Sequence, residues 1–281
     1  MPKPDSRARA SRRRLDRRGT ARRARAADRG SRGAEASRFF DDPEYLRTAV
    51  AERTDTESSR EALAAARLAR CAPGALLLDA GCGHGRHALA LARMGYRVVA
   101  LDHAAVLLAA GRRAAGGAPW PHFVRADYAR IPFSDGRFDA VLNLGTALGY
   151  RGEAADLAAL REFRRVLAQG GRLVLETAHR DAAEPGGILV EHEERPLPSG
   201  GALRVQRHFD VGRGLLREVQ QLRETDAWGP PRAYTIRLYA AAELDRMLTR
   251  AGFRARAFHG SLMGHGAPGA DCPLVVVADA R

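Results

Sequence analysis

The chain has 281 residues, 45% of them apolar, three cysteines and a formal net charge of +13. That suffices for one sizeable core. No apolar run approaches the roughly 18 residues of a membrane span, and the N-terminus is not read as a secretory signal. Cys71, Cys82 and Cys272 are odd in number and widely spaced, which fits neither a disulfide framework nor a CxxC metal pair. The expectation is a cytoplasmic protein with no metal and no membrane association.

The charge is concentrated at the start. Residues 1–38 hold thirteen arginines and Lys3 against four acids, +10 of the total. Lys3 is the only lysine, so the arginine bias signals a GC-rich coding sequence as much as phosphate binding. Apart from Leu15 the segment has almost no large apolar residue, and it is expected to be a disordered, solvated extension. The sharper alternative is an electrostatic arm for nucleic acid or an acidic partner.

Helices are expected near 43–50 and over 55–71, the second opening on cap-type residues and stopped by Pro73-Gly74. The pattern then changes. ALLLD (75–79), RVVALD (97–102), FDAVLNLG (138–145) and RLVLET (172–177) are unbroken apolar runs, as suits strands buried on both faces of a parallel sheet. Residues 121–125 add a weaker strand, and helical stretches at 86–94, 104–115 and 154–167 separate most of the runs. The alternation predicts an α/β, doubly wound and mostly parallel sheet. Residues 241–251 read as a helix, and 253–259 with 273–279 as a hairpin. Between 180 and 238 the period changes to two: Leu203, Val205 and Phe209 share a side, as do Tyr234, Ile236 and Leu238. An antiparallel β layer inserted into a domain of 39–281 is expected, serving as a substrate lid or a homodimer surface.

The turn Asp79-Ala80-Gly81-Cys82-Gly83-His84-Gly85-Arg86 carries the chemistry. A dinucleotide fingerprint counted from Gly81 demands glycine where Arg86 stands, which argues against a nicotinamide-linked oxidoreductase. No G-K-[ST] follows, so it is not a phosphate loop. The remaining D-x-G-x-G-x-G suits S-adenosylmethionine (AdoMet). This ligand has no phosphate; it needs close backbone approach, which Gly81 and Gly83 permit. Asp79 suits its positive groups. Asp102, at the end of the next strand, can accept from both ribose hydroxyls. Further on, Asp127 can accept from an adenine amino group, with Tyr128 near the ring, and Asn143, Leu144 and Gly145 end the next strand.

In order and spacing, residues 75–177 resemble a class I AdoMet-dependent methyltransferase. The segments FFDDPEYLRTAVAERTDTE, GTALGY, ETAHRD and TIRLYAAAEL resemble bacterial small-molecule methyltransferases more loosely. The resemblance implies a seven-stranded sheet whose last strand is antiparallel. It implies donor-binding roles for Asp79, Gly81, Gly83, Asp102, Asp127 and Asn143, with Cys82, His103, Tyr128 and Leu144 beside the ligand. Tyr45 and Arg53 would be lid contacts.

Some acceptors can be argued against. Asn143-Leu144-Gly145-Thr146 stands where base-amine methylases carry an N/D-P-P-Y-type motif, and there is no Pro-Cys dipeptide for a cytosine-type nucleophile. Nothing resembles a base-stacking RNA module. A small-molecule acceptor with a nitrogen or oxygen nucleophile is expected; the alternatives are RNA or ribosome delivery by the basic tail and, behind it, a non-catalytic AdoMet-fold binding protein. A general base is optional. The candidates are His179, directly after the fifth strand, and Tyr150 at the end of GTALGY, with His192 and Tyr239 in the inserted layer.

Overall fold

The computed structural model describes residues 32–51, 54–182, 188–197, 200–224, 226–268 and 272–281. Helices α1 (residues 32–40) and α2 (Pro43–Ala51) come first, then α3 (Asp55–Leu68). Strands and helices then alternate: β1 (Leu76–Ala80), α4 (Arg86–Arg93), β2 (Arg97–Asp102), α5 (Ala105–Ala115), β3 (His122–Arg125), β4 (Phe138–Asn143), α6 (Glu153–Val166) and β5 (Leu167–Ala178). Four strands follow: β6 (Ile188–Pro196), β7 (Ala202–Asp210), β8 (Leu215–Arg223) and β9 (Arg232–Arg237). The chain closes with α7 (Ala241–Arg250), β10 (Phe253–His259) and β11 (Pro273–Ala280).

The main sheet has seven strands in the order β10-β11-β5-β4-β1-β2-β3. Strands β1 to β5 are parallel, and β11 runs antiparallel to both β5 and β10. Both faces are covered, which is why the strand sequences are apolar without alternation. Leu77, Val98, Ala100 and Leu142 join the alanines of α3 and Leu91 of α4 on one face. Leu78, Val99, Leu101 and Val141 join Leu160 and Phe163 of α6 and Leu244 and Leu248 of α7 on the other. Each leucine buried this way contributes roughly 1.5–3 kcal/mol. The strand order reverses between β1 and β4, so the crevice at their carboxyl ends is the natural ligand site.

The inserted sheet, β6-β7-β8-β9, is antiparallel throughout. Its entrance and exit meet at a bridge between His179 and Tyr239. Arg180 and Arg237 both donate to Glu243 of α7, at 2.9 and 2.8 Å, which fixes the insert to the main body.

One expectation needs correcting. Residues 32–38 were included in the disordered tail, but they lie in α1; residues 1–31 are outside the described residues. The average composition of the tail conceals an apolar helix face at its end. Ala36 and Phe39 are each only 3% exposed, and the Phe39 ring lies 5.1 Å from Tyr45 and 4.7 Å from Tyr234. Ion pairs tie the same region to the inserted sheet: Arg217 with Glu35 at 3.0 Å, Arg232 with Asp42 and Glu44 at 3.5 and 3.3 Å, and Arg47 with Glu224. The first two helices therefore form a lid, and the insert braces it.

Candidate functional site

A cavity of about 760 Å³ opens at the carboxyl ends of β1, β2 and β4, beneath α1 and α2. Its floor is the glycine turn. Gly81, Gly83 and Gly85 all take positive φ, at 80, 59 and 82°. At Gly81 a β-carbon would lie 2.6 Å from Ala147 Cβ, and at Gly85 it would lie 2.6 Å from the Phe123 ring of β3. The turn thus needs glycine for its conformation and for its packing.

Asp79 stands at the end of β1, 2% exposed. Its Oδ2 has no hydrogen-bond partner. Burial raises its pKa to about 7; Arg86 pulls the other way, and neighbouring Asp102 adds to the rise. An unpartnered buried carboxylate oxygen on a cavity wall is an unmet demand for a donor or a cation.

Asp102 ends β2. It accepts from the Gly83 N–H at 2.8 Å and the Ala104 N–H at 2.9 Å, and His103 Nδ1 lies 3.3 Å away. Burial alone would raise its pKa, but the His103 hydrogen bond and the two backbone donors outweigh it and hold it low. The same contact raises His103. Asp102 is thus ionised and aimed by the turn itself, with acceptor capacity left on both oxygens.

Asp127 follows β3. It accepts from the Ala129 N–H at 2.9 Å and pairs with Arg151. Against the effect of burial, these partners keep its pKa below the ordinary range. Arg151 also lines the cavity, and a β-carbon on Gly33 of α1 would sit 3.2 Å from its Cγ. The Asp127 end of the cavity therefore touches the lid through Arg151, a residue the sequence does not single out. No local motif marks it, because its partners lie 24 and 118 positions away.

Cys82, His103, Tyr128 and Leu144 all line the cavity, as does Tyr45. The Tyr128 hydroxyl donates to the Ala147 carbonyl at 2.9 Å, so the ring is fixed by the loop after β4. Asn143 is fully buried and lies behind the turn instead of on the wall. Its Nδ2 donates to the Ala80 carbonyl at 2.7 Å, so it braces the backbone that carries Gly81. Arg53 lies outside the described residues.

Four further residues line the cavity, none of them expected there from the sequence. His84 is pushed down to about pKa 4, by burial first and then by Arg86 and His87, and is neutral at pH 7. Arg86 and His87 both bond Glu61 of α3, which fastens α3 to the helix that follows the turn. Phe40 lies on the lid side.

The two candidate bases fare differently. Tyr150 lines the cavity, but burial raises its phenol far above the ordinary range. It stays protonated, so it can donate a hydrogen bond and cannot serve as a base near neutral pH. His179 does not line the cavity. Strand β5 runs straight into the insert, and His179 is buried there, bridged to Tyr239 with its Nε2 3.7 Å from Asp181. His192 lies on β6 and Tyr239 donates to Asp156 at 2.5 Å; neither lines the cavity.

The polar half of this cavity offers an orphaned buried carboxylate, an ionised one, a third paired with arginine, and a close-packed glycine backbone between them, a set whose chemistry fits AdoMet. An open, mostly parallel sheet with an antiparallel last strand and this crevice defines a Rossmann-like methyltransferase fold. A family model described as a methyltransferase domain matches residues 77–171. The demethylmenaquinone methyltransferase of Thermus thermophilus is 35% identical over 184 residues, 64% of this chain and 74% of that protein. The matched segment spans only about 40% of the length of other curated relatives. Among solved structures, the CcbJ methyltransferase from Streptomyces caelestis aligns with a TM-score of 0.69 at 21% identity, over 82% of this chain and 93% of that one. CalS10, an amino pentose methyltransferase from Micromonospora echinaspora solved with AdoMet bound, aligns with a TM-score of 0.65 at 22% identity, over 85% and 98%. The chain belongs to the class I AdoMet-dependent methyltransferases.

Proposed function

We propose that the protein methylates a small-molecule acceptor at nitrogen or oxygen. The observation that carries this is the juxtaposition of Asp79, Asp102 and the glycine turn with a lid-covered remainder of the same cavity. When bound, AdoMet supplies an electrophilic methyl group on a sulfonium that leaves as a neutral thioether. Asp79 pairs with the ammonium, Asp102 holds the ribose, and Asp127 with Arg151 closes the adenine end. Leu144 and Gly145 line the wall beneath the methionine part. The lid excludes water and holds the acceptor in line, which supplies most of what this reaction needs. No base is assigned. The name of the Thermus thermophilus relative, a methyltransferase of a small molecule, supports the small-molecule part of this reading.

Thermal unfolding tests the donor site: S-adenosylhomocysteine should raise the melting temperature and NADH should not. Mass spectrometry of a metabolite extract incubated with the enzyme and methyl-labelled AdoMet should then reveal the acceptor. No response to either AdoMet or S-adenosylhomocysteine would refute the proposal.

A further inference from the structure

Outside its polar half the cavity is lined by three aromatic rings set among alanines, with Ser37 and Thr146. Phe40 of α1, Tyr45 of α2 and Tyr150 of the β4–α6 loop line it, and Phe39 and Tyr234 stand behind. Phe40 lies 5.0 Å from Tyr45 and 4.9 Å from Tyr150, both edge to face, and Tyr150 lies 5.5 Å from Tyr234. Apart from the tyrosines, every ionisable residue lining the cavity belongs to the polar half, among the described residues. Asp79, His84, Arg86 and His87 lie on β1, the glycine turn and α4, Asp102 and His103 at the end of β2, and Asp127 is paired with Arg151.

Such a wall is selective. A polyhydroxylated acceptor would lose more hydration against ring carbon than the few hydroxyls of the wall can replace. A flat ring of low polarity finds edge-to-face and stacked partners. The wall also lacks a carboxylate or imidazole to take a proton, so the nucleophile must arrive reactive.

We propose that this wall is the acceptor subsite, and that it takes a planar, weakly polar ring whose nucleophile is an ionisable ring oxygen, a phenol or an enol. This rests on the reading that the polar half holds the methyl donor. The phenol or enol proton leaves to solvent first. The oxygen lone pair then forms the bond to the methyl carbon as the carbon–sulfur bond breaks, and that bond's electron pair stays on sulfur. An anion and a sulfonium thus become a neutral methyl ether and a neutral thioether. Tyr150 is positioned to donate to the oxygen and orient it.

The test is calorimetric titration of the full chain saturated with S-adenosylhomocysteine, using 1-naphthol and, separately, glucosamine. Binding of 1-naphthol without measurable binding of glucosamine is expected. Phe40→Ala should weaken 1-naphthol about tenfold or more and Phe40→Leu by less, while S-adenosylhomocysteine affinity stays within about threefold. Binding of glucosamine in preference to 1-naphthol would overturn the inference, as would unchanged 1-naphthol affinity in Phe40→Ala. Parallel loss of both affinities in the two variants would overturn it too, by making Phe40 part of the donor site. Failure of S-adenosylhomocysteine to bind the unaltered protein is a separate result: it refutes the donor reading and removes this inference with it.

Discussion

Affinity for S-adenosylhomocysteine should fall about tenfold between about pH 8 and about pH 6, and Asp79 should be the cause. Its carboxyl titrates near 7 because it is buried, and its Oδ2 has no partner in the protein. The ligand's ammonium pairs with the ionised form only. At about pH 6 roughly one molecule in ten carries that charge, which weakens binding by about 1.4 kcal/mol. Above about pH 8 the affinity should level off. The linkage has a second consequence. A carboxyl whose folded pKa lies above its unfolded value holds its proton longer when folded. Asp79 therefore contributes a loss of stability to the ligand-free protein as pH rises from about 4 to about 7 and nothing above that; buried Asp156, raised to about 6, adds to the loss, and His84, lowered from 6.5 to about 4, opposes it. Asp102 and Asp127 are held low and His84 lies near 4, so none of these three changes charge in the folded protein between about pH 6 and about pH 8, where the affinity is read. His103 is raised above its ordinary 6.5, and repeating the titration with His103→Gln removes its part. Calorimetry on Asp79→Asn completes the test: affinity should sit near the acidic value of the unaltered protein and hardly vary with pH. A slope that survives in Asp79→Asn, or no slope in the unaltered protein, would refute the assignment.

Three further outcomes are expected. Gly81→Ala should lower donor affinity at least about tenfold and depress the melting temperature, because the left-handed backbone costs about 1–2 kcal/mol and the new β-carbon would meet Ala147 at 2.6 Å. Gly117→Ala, with φ of 81° and nothing within 4 Å, should show only the loss of stability. Asp102→Asn removes the charge proposed to hold the ribose hydroxyls, so donor affinity should fall by about 1.5–3 kcal/mol; unchanged binding by calorimetry would show that the ribose lies elsewhere. Glu61→Gln should destabilise the fold at pH 7 by about 1–2 kcal/mol, discounted because the side chain is 22% exposed. The His87 hydrogen bond, opposed by burial and assisted by Arg86, lowers Glu61 from 4.5 to about 2. Its contribution is complete above about pH 4.5 and disappears as pH falls towards 2. Urea unfolding across that range should show the two proteins converging.

The donor half was legible because its chemistry is local. Asp79, the three glycines and Asp102 lie within 24 residues, and their order is forced by a strand, a turn, a helix and a strand. The seven-stranded sheet followed from apolar runs that both faces require. What the sequence hid depends on contacts between distant segments. Arg151 matters because it meets Asp127 and Gly33, and nothing around position 151 announces either. Of the lid, α2 was expected and α1 was not, because Ala36 and Phe39 end an arginine-rich stretch whose average composition hides one apolar helix face. His179 stands at the expected strand end, yet the insert begins there and draws its ring into its own packing. Asn143 ends β4 as expected, but its amide nitrogen is spent on the Ala80 carbonyl and the residue does not line the cavity.

The aromatic wall is assembled from four separate stretches of chain, at positions 39–40, 45, 150 and 234, whereas every carboxylate of the donor half falls between 79 and 127. A change of acceptor therefore demands no change in the machinery that holds the donor. Ring-for-ring or ring-for-aliphatic exchanges at the four wall segments form a library in which each variant keeps an internal control, its affinity for S-adenosylhomocysteine. Selection in nature meets the same division: one half of the cavity is answerable to a common metabolite, and the other is free to follow whatever molecule the cell presents.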